Sequence, residues 1–355
     1  MNFKIFDKSI LEKRTPSIDV YRGIAILLVV LHHFAQLLNE DIVSIGFIGV
    51  DLFFVISGYL VSKVLLKEIK NNIKVNWRSF IVKRVTKILP SYYFYIIVGT
   101  VLARIILLES DSDQVIPLKE LPRYLFFYLN YDLTFSWSFE NSWSLCVEEH
   151  FYLFLILFFI LISSISIITK KKELLKASLL VFILTSIVFK IIGHFYGWNT
   201  FTASHMRMDA LFLGVLLSFQ EINEKIIKRN SITYTLLGIT LLLGAIVIYY
   251  MTIDNSLFRD SLFRAIVPIS FYFILRGTLF GKFKFFGNLR VLAYYSYNWY
   301  LWHSFIGFII MNKFNLSLSI AFPLYLISTF VIAVMVTKFI EEPFINLRSI
   351  FIKKK

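Results

Sequence analysis

Arg22 and His33 are residue types that lipid-spanning segments hold at a cost, and each is therefore a candidate for function. They stand eleven residues apart. At about 100° per residue, that step ends about 20° past three full turns, so one helix through both puts them on one face. At about 1.5 Å of rise per residue the two lie about 16 Å apart along the axis. A permanent cation at one level and a titratable base at another suit a reaction in which an anion is held at one end and a proton moved at the other. His32 points about 80° away from that face and is the weaker candidate. Asp19 shares the segment.

Further groups follow along the chain. Lys83, Arg84 and Lys87 precede Pro90, and Arg84 and Lys87, three apart, share a helical face. Such cations clamp phosphates, although juxtamembrane Lys and Arg also set topology or touch anionic lipid. Asp51 lies in Gly49-Val50-Asp51-Leu52-Phe53-Phe54, with Ser57-Gly58 beyond it, where small residues allow close helix packing. Glu148, Glu149 and His150 lie in Ser142–Tyr152, where a carboxylate also suits a helix N-terminus. Arg207 and Asp209 open a later segment and are expected to pair. His303, in Tyr300-Leu301-Trp302-His303, falls deep in another.

The elements that must position these groups are apolar. Of 355 residues, 57% are hydrophobic and 17% charged, and 38 are Phe. A soluble domain runs nearer 45–50% apolar and about 25% charged. Ten apolar segments are expected, at 19–38, 46–66, 88–108, 145–168, 174–193, 204–220, 231–251, 259–279, 290–311 and 318–340. Each is long enough to span as a helix of about 20 residues, and lipid leaves helices because every backbone amide must be satisfied internally. The alternating segments of a β-barrel are absent. Fold class is therefore all-α integral membrane protein with about ten transmembrane helices.

Lys and Arg alternate between connections. The second connection holds Lys63, Lys67, Lys70, Lys74, Arg78, Lys83, Arg84 and Lys87, and the fourth Lys170, Lys171, Lys172 and Lys176. The third, Glu109–Ser144, is long but has only Lys119 and Arg123. Both termini are then cytoplasmic. That long outer loop carries Phe126, Phe127, Trp137 and Trp143 among acids and is a candidate re-entrant or interfacial piece. The net charge of +14 is spread over short tracts, so no nucleic-acid partner is expected. No cleavable signal peptide is expected, and residues 1–355 are read as a single membrane domain with no fused soluble domain. The lone Cys146 excludes an intramolecular disulfide. The histidines and carboxylates do not cluster at ligand spacing, so no metal is expected. A transporter or flippase using the buried polar residues as a proton relay is the rival class, but related halves with matching broken helices are not seen.

The constellation resembles the membrane-bound acyltransferase-3 family. Ile18–Ala25 resembles the family's opening signature, and Arg22 with His33 reproduces its Arg-x10-His spacing. Gly49–Gly58 resembles its GVDLFFVISG block, Arg84–Tyr93 its basic-then-Pro start of the third helix, and Ser142–Tyr152 its WSLSVEEQFY block. Tyr297–His303 resembles its Y-LWH block and Glu341-Glu342-Pro343 its C-terminal end. Lys87 stands where the family often has Arg, which keeps charge but loses the planar fork. Cys146 and His150 stand where Ser and Gln are usual.

The resemblance implies transfer of an acyl group, commonly acetyl, from acetyl-CoA or another acyl-CoA to a hydroxyl of a cell-surface or lipid-linked sugar or polysaccharide. The setting is a cell membrane, with lipid as a further partner, as in the bacterial cytoplasmic membrane. On the combined reading, Arg22, Arg84 and Lys87 hold the donor's phosphates. His33 is the general base, and a carboxylate such as Glu148 or Asp51 orients the imidazole or binds the sugar. Asp51, Trp143 and His303 are assigned to the acceptor, with Trp302 a further ring for stacking. Direct transfer and an acyl intermediate on Ser57 or Ser144 both stay open.

Overall fold

The computed structural model describes residues 15–38, 45–71, 73, 75–106, 116–131, 139–165, 168–223, 231–252, 256–281, 287–314 and 316–351. Outside them lie Lys4, Lys8, Lys13, Arg14, Lys74, Lys225, Lys228, Arg229, Lys282, Lys284 and Lys353 to Lys355. Much of the connection Glu109–Ser144, expected to be an outer loop, also lies outside them, with Glu109, Asp111, Asp113, Asp132 and Trp137.

Among the described residues the long elements are all helices, one for each expected segment. They are α1 (Pro16–Leu37), α2 (Ile48–Lys70), α3 (Trp77–Ile106), α4 (Ser142–Ser163), α5 (Ile168–Phe195), α6 (Ser204–Asn223), α7 (Ser231–Met251), α8 (Phe263–Thr278), α9 (Gly287–Lys313) and α10 (Leu318–Val336). Among the described residues, seven helices are long and apolar enough to cross a membrane; α6, α8 and α9 are not among them. Length and apolarity thus account for seven of the ten expected spans. The other three are the short α8, of 16 residues, and two helices that bury Arg207, Asp209, Asn298 and His303. A helix whose polar residues face other helices need not be apolar all round.

Two boundaries differ from expectation. The third helix starts at Trp77 rather than near residue 88, so Arg84 and Lys87 sit inside it, with Pro90 three residues beyond Lys87. The last long helix continues through a π-helical turn, Thr337–Glu341, into the short helix Glu342–Asn346. Another π-helical turn, Phe258–Leu262, leads into α8. Such turns re-aim side chains and concentrate at functional sites.

Packing separates an interior from a lipid-facing rim. In the apolar stretch of α2, 72% of residues are buried; in that of α7, 11% are. The inner helices meet at small residues. A Cβ on Gly58 of α2 would lie 1.9 Å from the Leu211 carbonyl of α6. A Cβ on Gly23 of α1 would lie 2.3 Å from the Leu289 carbonyl of α9. No side chain fits either crossing, so the backbones pack directly, as small residues permit in lipid.

The described part of the connection Glu109–Ser144 packs onto the bundle. A short helix, Leu121–Leu125, receives hydrogen bonds from Tyr92 and Tyr93 of α3, to the Tyr124 carbonyl at 2.8 Å and the Leu125 carbonyl at 3.2 Å. Asn130 donates to the Thr202 carbonyl at 2.9 Å and to Ser204 Oγ at 2.8 Å.

Candidate functional site

A cavity of about 340 Å³ opens among α1, α2, α3, α4 and α9. Arg22, Lys83, Arg84, Lys87 and Arg348 contribute cationic groups to it. Phe53, Ile56, Leu60, Val61 and Ile88 supply apolar wall. The helix start at Trp77 explains the cationic end, because it puts Lys83, Arg84 and Lys87 within about one turn of α3.

Each cation is held differently. Arg22 donates to Ser296 Oγ of α9 at 3.1 Å. The Arg84 guanidinium lies 4.6 Å from the centre of the Tyr152 ring, at cation–π distance. Lys87 lies 3.4 Å from Glu341, so the Glu-Glu-Pro end of the chain is tied to the cavity rim. Asn298 also donates to Glu341, at 2.8 Å. Arg348 reaches Thr86 Oγ1 at 2.8 Å and the Lys83 carbonyl at 2.9 Å. Burial pulls the Arg348 guanidinium below its ordinary value; Glu341 opposes this and Arg84 adds to it. A fork-shaped donor lined up beside Arg84 is suited to phosphate oxygens.

Glu148 enters the same cavity from α4. It accepts from Ser57 Oγ at 3.1 Å and from the Tyr152 hydroxyl, and Ser57 Oγ and the Tyr152 hydroxyl are 2.7 Å apart. Its hydrogen bonds thus go to α2 and to its own next turn, not to His33.

The two intramembrane histidines singled out by position meet. His303 Nε2 lies 3.2 Å from His33 Nδ1, and the rings stand edge to face with centres 4.7 Å apart. His33 Nδ1 is also 2.9 Å from the Val29 carbonyl. His32 packs edge-on against His33 with centres 5.2 Å apart and is itself buried. His303 is fully buried, whereas His33 keeps partial exposure. His33 does not line the cavity; Arg22, eleven residues earlier, and Tyr300, three residues before His303, do.

Two residues assigned to the acceptor, Asp51 and Trp143, do not line this cavity and make buried contacts of their own. Asp51 pairs with Arg207 at 2.7 Å, and both side chains are 2% exposed, so this carboxylate is spent on a buried guanidinium. Trp143 is buried against Phe54 and Phe201, with ring centres 6.0 Å and 4.9 Å away, and faces Arg207. Arg207 and Asp209 do not pair with each other. Two residues apart on a helix, they point about 200° apart, so each reaches a different neighbour. Asp209 meets Lys190 of α5 at 2.5 Å, with Lys190 fully buried. His150 lies 2.6 Å from Ser204 Oγ, away from its neighbouring carboxylates' partners.

The sequence reading missed Tyr152, Arg348, Ser296 and Lys190. Tyr152 stood at i+4 from Glu148, and that spacing was the available signal. Lys190 was visible as a cation inside an apolar run, which lipid penalises. Nothing near Arg348 marked it out, since a basic residue after the last span reads as topology.

The acyltransferase-3 family, described as an acyltransferase domain, matches residues 15–338. The O-acetyltransferase OatA of Staphylococcus aureus (strain NCTC 8325 / PS 47) is 26% identical over 364 aligned residues, covering 96% of this chain. The OatA of strain N315 matches to the same extent. The chain spans 59% of the length of these relatives. No solved structure matches it.

Proposed function

The chain belongs to the acyltransferase-3 family, and on that premise we propose a multi-pass membrane O-acyltransferase that moves an acetyl group from acetyl-CoA to a sugar hydroxyl. The donor binds from the cytoplasmic side, and both termini lie on that side. The acceptor is a cell-surface or lipid-linked glycan, and the setting is the cytoplasmic membrane of a bacterium.

One observation carries the reading. Helices α1 and α9 clasp each other twice, at Arg22–Ser296 and at His33–His303. The first contact borders the cationic cavity and the second lies about 16 Å further along α1. That offset suits a donor whose phosphates stay at the mouth while its thioester arm reaches inward. The cationic rim and apolar walls of the cavity suit a phosphorylated head and an apolar arm respectively.

Arg22, Arg84 and Arg348 hold phosphate oxygens, and Lys87 adds charge while paired with Glu341. His33 accepts the proton of the acceptor hydroxyl as that oxygen attacks the thioester carbonyl. The carbon–sulfur bond breaks, and His33 returns the proton to the departing thiolate. Burial of the reacting atoms excludes competing water.

The test is thiol release from acetyl-CoA by the purified protein in lipid nanodiscs, with and without a glycan fraction from the cell envelope. Glycan-stimulated release in the wild type, lost in His33→Ala with donor binding retained, is the expected result. A His33→Ala protein that transfers at the wild-type rate would remove His33 from the reaction. A wild type that neither binds acetyl-CoA nor releases thiol would remove the donor.

A further inference from the structure

His303 bears on the tautomer of His33. A backbone carbonyl accepts hydrogen bonds and cannot donate them. His33 Nδ1 lies 2.9 Å from the Val29 carbonyl, and His303 Nδ1 lies 2.7 Å from the Tyr300 carbonyl and 3.2 Å from that of Trp299. Each Nδ1 therefore carries hydrogen, and in a neutral ring each Nε2 carries the lone pair. The lone pair of His303 Nε2 is then the acceptor facing His33 Nδ1 at 3.2 Å. Ser304 Oγ, 3.2 Å from the same Nε2, donates to it as well. The His33 N–H is shared between Val29 and His303, and His33 Nε2 is left as an acceptor with no hydrogen bond among the described residues.

The ring of His303 is itself fixed from outside α9. Asn141, just before α4, donates through Nδ2 to the Tyr300 carbonyl and, at 3.0 Å, to that of Leu301. Its own Oδ1 accepts from the Tyr95 hydroxyl at 3.0 Å. The carbonyl that fixes the His303 tautomer is thus anchored by the outer end of α4, and a run of hydrogen bonds leads from Tyr95 through Asn141 and Tyr300 to His303 and His33.

We propose that His303 is the positioning residue of the base. It holds His33 in the Nδ1–H form, with the Nε2 lone pair left for the acceptor hydroxyl, and it accepts the Nδ1–H of the imidazolium formed when His33 takes the proton. The proton moves from the hydroxyl oxygen to His33 Nε2 and from there to the departing thiolate; the Nδ1 proton stays in place. In water-exposed hydrolases a carboxylate does this orienting work. Within the membrane a neutral imidazole orients the base without an unpaired buried anion. The inference rests on the proposed role of His33, and reassigns His303 from the acceptor to the base.

The test is ¹⁵N spectroscopy of histidine-labelled protein in nanodiscs, with His33→Gln identifying the His33 signals. The expected spectrum has a protonated Nδ1 and an unprotonated Nε2 at His33. A His33 protonated at Nε2 overturns the proposal. His303→Phe keeps a ring in place but cannot accept. It is expected to lower kcat about 10–100-fold, the loss of one hydrogen bond to a charged group, with the acetyl-CoA KM unchanged, and to remove the single-tautomer signal of His33. His303→Gln, whose Oε1 can accept, recovers part of both. Wild-type kcat in His303→Phe, or a loss confined to the acceptor KM, overturns the proposal. Wild-type turnover in His33→Ala would instead overturn the base reading, while the tautomer measurement would stand by itself.

Discussion

Arg22 donates to Ser296 at 3.1 Å, seven residues before His303 on the same helix. Since His33 follows Arg22 on α1 and meets His303, the two helices run in the same direction and are locked at two levels. Gly23, next to Arg22, brings their backbones together at Leu289. The lock fixes how far His33 stands from Arg22, which is the dimension a phosphorylated donor would read under the proposed function.

Arg22→Ala should therefore weaken acetyl-CoA but not a truncated donor. A hydrogen bond to a charged group contributes about 1.5–3 kcal/mol, or about 10–100-fold in affinity. The expected outcome is a raised KM for acetyl-CoA and an unchanged KM for S-acetyl-pantetheine, which lacks the nucleotide phosphates. Equal losses for both donors would place Arg22 in structural support only.

The two cations of α3 should not contribute equally. Lys87 is engaged with Glu341 at 3.4 Å, whereas Arg84 lies over the Tyr152 ring in the cavity. A lysine already paired to a carboxylate gives less to an incoming phosphate, and it lacks the planar fork. Donor binding by calorimetry should fall further in Arg84→Ala than in Lys87→Ala, and both losses should shrink at high salt as screening grows. A larger loss in Lys87→Ala would reverse the assignment.

The legible part of this protein was whatever depends on period. Apolar runs gave one helix each, and the eleven-residue step predicted a shared face for Arg22 and His33. Contacts across hundreds of residues had no local signal. His33 and His303 are 270 positions apart, and only the cost of a histidine in lipid marked either. Asp51 illustrates the converse. It lay in a recognisable block, yet its partner was set by the α2–α6 crossing at Gly58 and Leu211, which no pattern in either helix specifies. The start of α3 at Trp77 was hidden because polar residues precede its apolar stretch.

The charge pairs of α2, α5 and α6 should behave as scaffold. Removing one member of a buried ion pair costs about 3–5 kcal/mol, because the other charge is left unpaired in a poor solvent. Asp51→Ala and Lys190→Ala should each lower the thermal midpoint in detergent by several degrees. The double replacement Asp51→Leu with Arg207→Leu should cost less than the two single changes summed, since no charge is orphaned. Additive losses would show that the pair is not coupled. In protein that remains folded, the acetyl-CoA KM should be unchanged, because Asp51 and Lys190 do not line the cavity.

Glu148 lines the cavity together with Glu68, and its surroundings separate charge from shape. Ser57 and Tyr152 both donate to it, and Arg84 covers the Tyr152 ring. Glu148→Gln keeps an oxygen for these donors and removes only the negative charge. If that charge balances the cationic mouth while the proton is transferred, kcat should fall about tenfold or more with the thermal midpoint unchanged. Tyr152→Phe removes one donor to the carboxylate and should cost about 1–3 kcal/mol of stability, with a smaller effect on kcat. A Glu148→Gln protein that turns over at the wild-type rate would reduce the carboxylate to a wall of the cavity. The charge balance at the mouth would then rest on Glu68, which lines the same cavity, and on Glu341, paired with Lys87; Glu68→Gln and Glu341→Gln test the two in the same assay.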